Sequence, residues 1–482
     1  MADKQTLDFG LLGRSYSLRH SLKHYRSVCV VAVYSLDLSA GQRPKTWLQN
    51  TLERCLQATI RQHSGLCYAP TDQADNLTSE FRQLEKINRD DVMEYIETQD
   101  AQMAESEPSR DTVLCQKLEL AHEELWPSHK PAWKTIIMHR RAYSNGNDAE
   151  IYVPSCSRID AAFIAHHAIA DGLSGVAFHT AMMDNFEKAS MMAGEPTWPM
   201  AIDGILTPPR PVEDVIDLTG SATSKASDTG DTNGLVWTGG AISGDNFKSR
   251  IQLTTIPPHQ VLRILGLCKR DRVSMTSYLH ALICTSLCKT LEGAPGLRAI
   301  TPYSLRGFAA TSPRDIVNHV SHMSTHIPGT RLDAIRESKL HSRAEHQQII
   351  NLARRFGDAI AAELKRFPQG SALANLSQIQ DLRAFCLSQE GGKRGSSYEL
   401  SNLGAVEKWV SADGGLTLER LIFTQTGMVV GPAIGFNCVS IRRGPLTMSI
   451  TWQHGIVDDV LIEVVARELE KRLMSVDAAL SD

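Results

Sequence analysis

The chain has 482 residues, of which 42% are hydrophobic and 22% charged, as in ordinary soluble globular proteins. This composition excludes a chain that is disordered throughout. The formal net charge is -4, so no strongly basic surface argues for nucleic acid as a partner. No apolar run reaches the roughly 18–20 residues that a membrane span needs, and the first residues lack the apolar core of a secretory signal.

The cysteines are scattered and show neither a zinc-ribbon spacing nor a C-x-x-C pair. Free thiols in a reducing compartment are the simplest interpretation of this pattern. We therefore expect a soluble, cytoplasmic and monomeric protein without a metal.

The first half of the chain alternates strands with helices. Residues 27–36 are apolar and β-branched and predict a buried strand, and a helical stripe of apolar residues begins after Pro44. Residues 131–143 predict a strand, with residues 149–154 as its hairpin partner. Residues 159–165 predict a further strand that leads through a polar turn into a helix.

Residues 207–234 change in character, because they are rich in Pro, Ser, Thr, Asp and Gly and lack aromatic residues. This composition predicts a flexible connector between two subdomains, residues 1–206 and 235–482. The second subdomain again alternates strands with helices, including a long polar helix, continuous or broken, from about residue 332 to 367. The fold class is therefore α/β or α+β with mixed sheets.

The segment HHAIADG (166–172) is the sharpest local signal, at a predicted strand-to-helix junction. An imidazole with an ordinary pKa of about 6.5 can take up and return a proton within one reaction cycle. Neighbouring strand residues point to opposite faces, so we expect one of His166 and His167 to be catalytic and the other structural. Asp171 closes the turn and can pair with a cation. A histidine that only packs, beside an ordinary Asp-Gly turn, is the structural alternative.

HHAIADG resembles the His-His-x-x-x-Asp-Gly signature of the chloramphenicol-acetyltransferase-like superfamily. Within this superfamily, the chain is most similar to the fungal alcohol O-acetyltransferase family. The opening segment RSYSLRHSLKHYRSVCVVAVY and the closing segments RLIFTQTG and CVSIRRGPLTMSITWQHGIV carry this similarity. The resemblance implies an α/β fold of two similar subdomains with mixed sheets and an active-site tunnel between them.

The resemblance implies that His167, the second histidine, is the general base. It would deprotonate the hydroxyl of an alcohol acceptor, which attacks the thioester of acetyl-CoA, and would then protonate the departing thiolate without an acyl-enzyme. Asp171 is implied to support the site by pairing with an arginine of the second half. The segment TPYSLRG makes Arg306 the candidate, and a plain surface arginine is the alternative. His166 and Gly172 complete the motif as structural support.

The tetrapeptide SNLG (401–404) resembles the S-N-x-G element of the dihydrolipoyl and wax-ester branches, in which a hydroxyl stabilises the tetrahedral oxyanion. Ser401 would be that donor, and a simple turn is the alternative. The chain lacks the Asp-Phe-Gly-Trp-Gly segment of the plant branch, which argues against plant-type contacts with CoA. In the Gly-rich loop GGKRGSS (391–397), Lys393 and Arg394 are candidates for contacts with the CoA phosphates, and a solvated loop is the alternative.

His319, His322 and His326 have the spacing of a metal-binding helix face, but the β-branched residues and the closing Pro favour a strand. The first functional hypothesis is an acetyl-CoA-dependent O-acetyltransferase that acts on a small, largely apolar alcohol such as a secondary metabolite. A stand-alone condensation-type domain would instead take its acyl group from a carrier protein. A catalytically idle binding protein on the same fold is the third hypothesis.

Overall fold

The computed structural model describes residues 6–7, 10–37, 43–44, 46–71, 80–99, 109–141, 151–152, 157–222, 235–340, 342–412 and 415–475. The strands are β1 (Thr6–Leu7), β2 (Val28–Leu36), β3 (Arg43–Pro44), β4 (Tyr68–Pro70), β5 (Phe81–Gln83), β6 (Lys86–Ile87), β7 (Met93–Gln99), β8 (Trp133–Arg141), β9 (Ile151–Tyr152), β10 (Ser157–Ala165), β11 (Met200–Ala201), β12 (Ser249–Ile256), β13 (Gly296–Ser304), β14 (Val320–Pro328), β15 (Tyr398–Val406), β16 (Leu416–Gln425), β17 (Ile434–Ile441) and β18 (Leu446–Gln453). The α-helices are α1 (Gly10–Ser21), α2 (Trp47–Gln62), α3 (Arg89–Val92), α4 (Arg110–Glu123), α5 (Gly172–Ser190), α6 (Pro258–Asp271), α7 (Met275–Thr290), α8 (Gly329–Glu337), α9 (Arg343–Arg366), α10 (Ala372–Leu376), α11 (Leu382–Leu387) and α12 (Asp459–Met474).

Two mixed sheets organise the chain. The first has five strands in the order β16-β2-β10-β8-β7, and the second has six in the order β12-β18-β17-β15-β13-β14. Helices α2 and α5 pack on the first sheet, while α7, α9 and α12 cover the second. The α/β fold class with mixed sheets is thus confirmed.

Strand β2 shows why the first sheet is buried on both faces. Val30, Ala32 and Tyr34 pack into the core beneath α2 and α5, whereas Val31 and Val33 face α4 and β12 on the other side. A strand covered on both faces has a continuous apolar sequence instead of an alternating one, which explains the run VCVVAVY. Because β12 belongs to the second half, this second face also joins the two halves.

Strand β16 crosses from the second half into the first sheet, where it pairs with β2 along the whole length of β2, from Leu416 opposite Leu36 to Gln425 opposite Val28. Its residues also alternate between the two cores, with Ile422 on one face and Phe423 on the other. The prediction of a strand at this point is confirmed, but its place in the first sheet was not predicted.

The predicted hairpin between residues 131–143 and 149–154 is wrong. Strand β9 pairs with β3, through Arg43 opposite Tyr152, and the neighbours of β8 are β7 and β10. Residues 142–150, which would contain the turn of this hairpin, lie outside the described residues. Burial of β8 between two other strands leaves no edge for a hairpin partner.

The first part of the predicted connector, residues 207–234, packs against the rest of the protein. Val212 and Ile216 are buried against a cluster that also contains Leu12, Leu305 and Leu373, so this part is not a free linker. Residues 223–234 lie outside the described residues. The subdomain limits 1–206 and 235–482 stay a prediction.

The predicted interruption of the long polar helix is present, between α8 and α9. None of the helices among the described residues is long and apolar enough to cross a membrane. The nine described cysteines are all free and buried, and the described residues contain no group of three potential metal ligands. The cytoplasmic location and the monomeric state stay predictions.

Candidate active site

A cavity of about 580 Å³ lies between the two halves, within the range of small-molecule sites. The first half contributes helix α1, the segment that follows it and the turn after β10. The second half contributes β13, β14, β15 and the end of β16. The polar side chains that line the cavity include Ser15, Tyr16, Arg19, Tyr25, His167, Asp171, Thr276, Tyr303, Ser304, Ser321, His322, Ser396, Glu399, Ser401, Asn402 and Gln425.

His167 lies in the turn between β10 and α5, and its ring orientation is determined by two contacts. Its Nδ1 donates to the carbonyl oxygen of Ala170 at 2.9 Å, which leaves Nε2 unprotonated in the neutral ring. The ring stacks on Tyr16 with 3.9 Å between centroids. Nε2 makes no hydrogen bond to another residue of the described chain, and His167 lines the cavity. The lone pair of Nε2 is therefore the available base.

Burial lowers the pKa of His167 to about 4, because an imidazolium ion loses hydration in this position. Asp171 acts in the opposite direction but does not cancel the effect. The expected near-neutral pKa is therefore not what the structure gives. At neutral pH the ring is unprotonated and ready to accept a proton.

His166 faces away from the cavity. Its ring packs against His20 and Phe81, and its Nδ1 accepts a hydrogen bond from the backbone of Ala168 at 2.9 Å. The two histidines thus point to different sides, as predicted, but both follow the end of β10, so the turn and not strand alternation separates them. His166 stabilises the turn that presents His167.

Asp171 is the N-cap of α5 and also the anion of a buried ion pair between the two halves. Its Oδ1 accepts from the backbone nitrogen of Ser174 at 2.8 Å, and Arg306 binds both carboxylate oxygens at 2.6 and 3.0 Å. Burial favours the neutral carboxyl, but Arg306 and Ser174 outweigh it and hold the pKa of Asp171 below its usual value. The carboxylate is fully engaged, so it positions the turn instead of moving protons.

A further contact from the second half holds the turn. The amide of Asn318 donates to the carbonyl oxygen of His167 at 2.6 Å, and the backbone nitrogen of His319 donates to Asp171 Oδ2 at 3.2 Å. The loop before β14 therefore helps to place the His167 ring relative to the second half. Sequence reasoning missed Asn318, because no local pattern marks it.

Gly172 brings the two sequence motifs together. A Cβ atom at this position would lie 2.6 Å from Leu403 Cδ2 and 3.0 Å from Phe423 Cζ. A larger residue here would displace Leu403, so Gly172 lets the first turn of α5 lie close to strand β15. The HHAIADG turn therefore lies directly against the SNLG element.

Ser401 lies on β15 and lines the cavity. Its hydroxyl forms no hydrogen bond within the part of the chain that the structure describes, so it is available to a ligand. The next residues form an irregularity in β15, where Asn402 binds Thr276 and Gly404 adopts a positive φ of 81°. SNLG is therefore an irregular part within strand β15 and not an isolated turn.

The proposal that Arg394 contacts a phosphate must be corrected. The Arg394 side chain is buried and donates to the carbonyl oxygen of Met428 at 2.8 Å and to Gln453 Oε1 at 3.2 Å. It anchors its loop and does not line the cavity. Lys393 is exposed on the same loop and stays a candidate.

Sequence reasoning also missed the residues of the N-terminal segment that line the cavity. Tyr16 and Tyr25 contact the His167 ring, and Arg19 lies 5.3 Å from the centroid of each tyrosine ring. Arg19 also donates to the carbonyl oxygen of Val430 at 2.7 Å. The only signal for these residues was the resemblance of the opening segment to a known family, which assigned them no role.

The three spaced histidines lie on or just before an extended strand, as expected. His322 lines the cavity, while His319 is hydrogen-bonded to Thr311 and to the backbone of Arg210 outside it. The three rings therefore do not form one face.

The chain is similar in sequence to alcohol acetyltransferases. The profile of the alcohol acetyltransferase family matches residues 239–466. The "Probable alcohol acetyltransferase FCK4" of Fusarium pseudograminearum is 26% identical over 399 residues, which cover 78% of this chain and 78% of that protein. The "Probable alcohol acetyltransferase crmB" of Aspergillus fumigatus is 25% identical over 354 residues, covering 68% and 69%.

Solved structures show the same fold. The TRI3 trichothecene 15-O-acetyltransferase of Fusarium sporotrichioides superposes with a TM-score of 0.70 over 98% of this chain and 94% of its own, at 13% identity. The first condensation domain of the calcium-dependent antibiotic synthetase reaches a TM-score of 0.60 over 97% and 95%, at 12% identity. The fold is therefore that of two similar subdomains with mixed sheets.

Proposed function

We propose that this chain, which is similar to alcohol acetyltransferases, transfers an acetyl group from acetyl-CoA to a hydroxyl of a small, largely apolar alcohol. The observation that carries the proposal is the unpaired Nε2 of His167 at a cavity shared by both halves. The hydrogen bond from Nδ1 to Ala170 selects the tautomer that a base needs.

His167 has a different role in each half of the reaction. Nε2 first takes the proton of the acceptor hydroxyl while its oxygen attacks the thioester carbonyl. The resulting tetrahedral oxyanion accepts a hydrogen bond from Ser401. Nε2–H then protonates the departing sulfur, which gives the acetyl ester and free CoA. Since the thioester is already activated, neither a metal nor an acyl-enzyme is part of this scheme.

The cavity has room for two substrates to meet. A second cavity, of about 240 Å³, shares Thr276, Pro302, Tyr303 and Asn402 with the first and extends towards Ile360 on α9. A second space that borders the cavity of His167 suits a reaction between a thioester and an alcohol that arrive separately. Lys393 is the remaining candidate for a phosphate contact.

The proposal is tested by release of free thiol. The purified chain is incubated with acetyl-CoA and a panel of apolar alcohols, and the acetyl ester is identified by mass spectrometry. Thiol release that depends on the alcohol, with a matching ester, supports the proposal. If thiol appears only when the acetyl group is supplied on a carrier protein, the condensation-type alternative replaces it.

Ser401→Ala is expected to lower kcat by about 10²-fold and to change KM for the alcohol little, because the hydroxyl acts on the oxyanion. Steady-state thiol release measures both constants. Ser312→Ala is a matched control, since Ser312 is exposed in the loop before β14 and lies outside the cavity. A rise in KM with kcat unchanged would assign Ser401 to substrate binding instead.

The pH dependence of kcat/KM follows from the lowered pKa of His167. Because the neutral imidazole is the active form, activity should be complete above that pKa and fall as the pH decreases through about 4. A solvent-exposed histidine with an unshifted pKa would give this decrease near about pH 6.5. The profile is measured by thiol release, with circular dichroism at each pH as the control for folding. A midpoint near the ordinary value would contradict the burial of the base.

A further inference from the structure

Glu399 is a buried carboxyl group in the wall of the cavity. It lies two residues before Ser401 on β15, so the two side chains lie on the same face of the strand. Glu399 is 9% exposed, and it forms no ion pair among the described residues. The scheme for acetyl transfer given above does not use this group.

One oxygen of this carboxyl group is held firmly. Gln425 Nε2 donates to Glu399 Oε1 at 2.8 Å and to Asn437 Oδ1 at 2.7 Å, while Gln425 Oε1 accepts from the hydroxyl of Tyr25 at 2.7 Å. The Gln425 amide cannot turn over without losing these bonds. Glu399 Oε1 therefore always faces a donor.

The other oxygen, Oε2, has no hydrogen-bond partner in the described part of the chain. Burial raises the pKa of Glu399, although Gln425 and Arg19 oppose this effect. Glu399 lines the cavity, so a hydrogen-bond donor on a bound ligand can reach Oε2. The surrounding Tyr25 and Gln425 already use their donors within the network.

We propose that Glu399 selects acceptors that carry a second hydroxyl group, which donates to Oε2 while the first hydroxyl is acetylated at His167. This inference rests on the proposed function and names the acceptor class as diols instead of simple alcohols. Glu399 lies about 6.5 Å along the strand from Ser401, the proposed donor to the reacting centre, so we expect several carbon atoms between the two hydroxyl groups.

The experiment compares three acceptors of equal chain length: a terminal diol, its monomethyl ether and the simple alcohol. The series runs from butanediol to octanediol, with acetyl-CoA as donor, and the rate for a diol is halved for its two equivalent ends. The ether retains the second oxygen but cannot donate. We expect the wild-type kcat/KM for the best diol to exceed that for its ether by about tenfold or more.

Glu399→Gln reverses the polarity of this contact. The new side chain must direct its oxygen to Gln425 Nε2, so its NH₂ group faces the cavity. The preference for the diol over the ether should disappear or invert, while kcat/KM for the simple alcohol stays within about threefold of wild type. Glu407→Gln is the matched control, because Glu407 is exposed and pairs with Arg442.

Binding of the diol and of the ether is also measured by calorimetry in the absence of acetyl-CoA. Equal use of diol and ether by the wild type at every chain length, or an unchanged preference in Glu399→Gln, would overturn the inference while leaving acetyl transfer intact. If no alcohol releases thiol, the proposed function fails. Loss of diol binding in Glu399→Gln would still support the recognition role in that case, and unchanged binding would overturn it.

Discussion

His167→Ala is expected to lower kcat on the order of 10³-fold or more while the protein stays folded. General base catalysis by a positioned side chain contributes about 10²–10⁴-fold, and His167 serves both the attack and the departure of the leaving group. The ring lines a cavity, so its removal enlarges that space and leaves the backbone bond from Asn318 in place. Thiol release at saturating substrate measures the loss.

The control for this variant is His454→Ala, at the half-exposed end of β18, where the ring pairs with Asp459. Its kcat should stay within about threefold of wild type, since surface substitutions away from a site change little. Thermal unfolding shows whether either variant is folded. A folded His167→Ala protein with kcat within about tenfold of wild type would remove His167 from the reaction.

Arg306→Met is expected to destabilise the protein by about 3–5 kcal/mol, because it leaves the Asp171 carboxylate buried without its counter-ion. Arg306 and Asp171 are 5% and 4% exposed, and their ion pair joins the two halves. Urea unfolding measures the free energy. The double variant with Asp171→Asn should recover part of this loss, since it removes the uncompensated charge.

The loss of stability caused by Arg306→Met should also depend on pH. The folded-state pKa of Asp171 lies below its unfolded value, so the ion pair stabilises the protein at pH values above about 3.9 and this contribution disappears as the pH falls further. The difference in stability between wild type and Arg306→Met should therefore shrink in acid. Arg442→Met, which breaks an exposed pair, should cost less than about 1 kcal/mol. A similar small loss for Arg306→Met would show that the pair does not hold the halves together.

Local patterns predicted the local parts of this structure. The apolar run at 27–36 forms β2, and the strand-to-helix junction at 166–172 carries the two histidines on different sides. These features depend on side-chain periodicity and on a short motif, which are both read within a few residues. Arg306, which binds Asp171 at 2.6 Å, is not local to it, and only the resemblance of TPYSLRG to a known family named it.

Features that depend on contacts between distant parts of the chain could not be predicted from local sequence patterns. The pairing of β16 with β2 joins residues almost 400 positions apart in sequence, such as Leu416 and Leu36. Tyr16 reaches the His167 ring from helix α1 only because the two halves close on each other. Arg394 and Glu399 illustrate the same limit. The backbone carbonyl of Met428 binds Arg394 and the side-chain amide of Gln425 binds Glu399, and no local pattern reveals either partner.

The central claim is that His167 Nε2 meets a thioester within the cavity between the two halves. A crystal structure of the protein with CoA tests it most directly. We expect the CoA sulfur in this cavity, within hydrogen-bond reach of Nε2 and on the side of Ser401. A sulfur bound elsewhere, with the imidazole still enclosed by Tyr16 and Tyr25, would contradict the account.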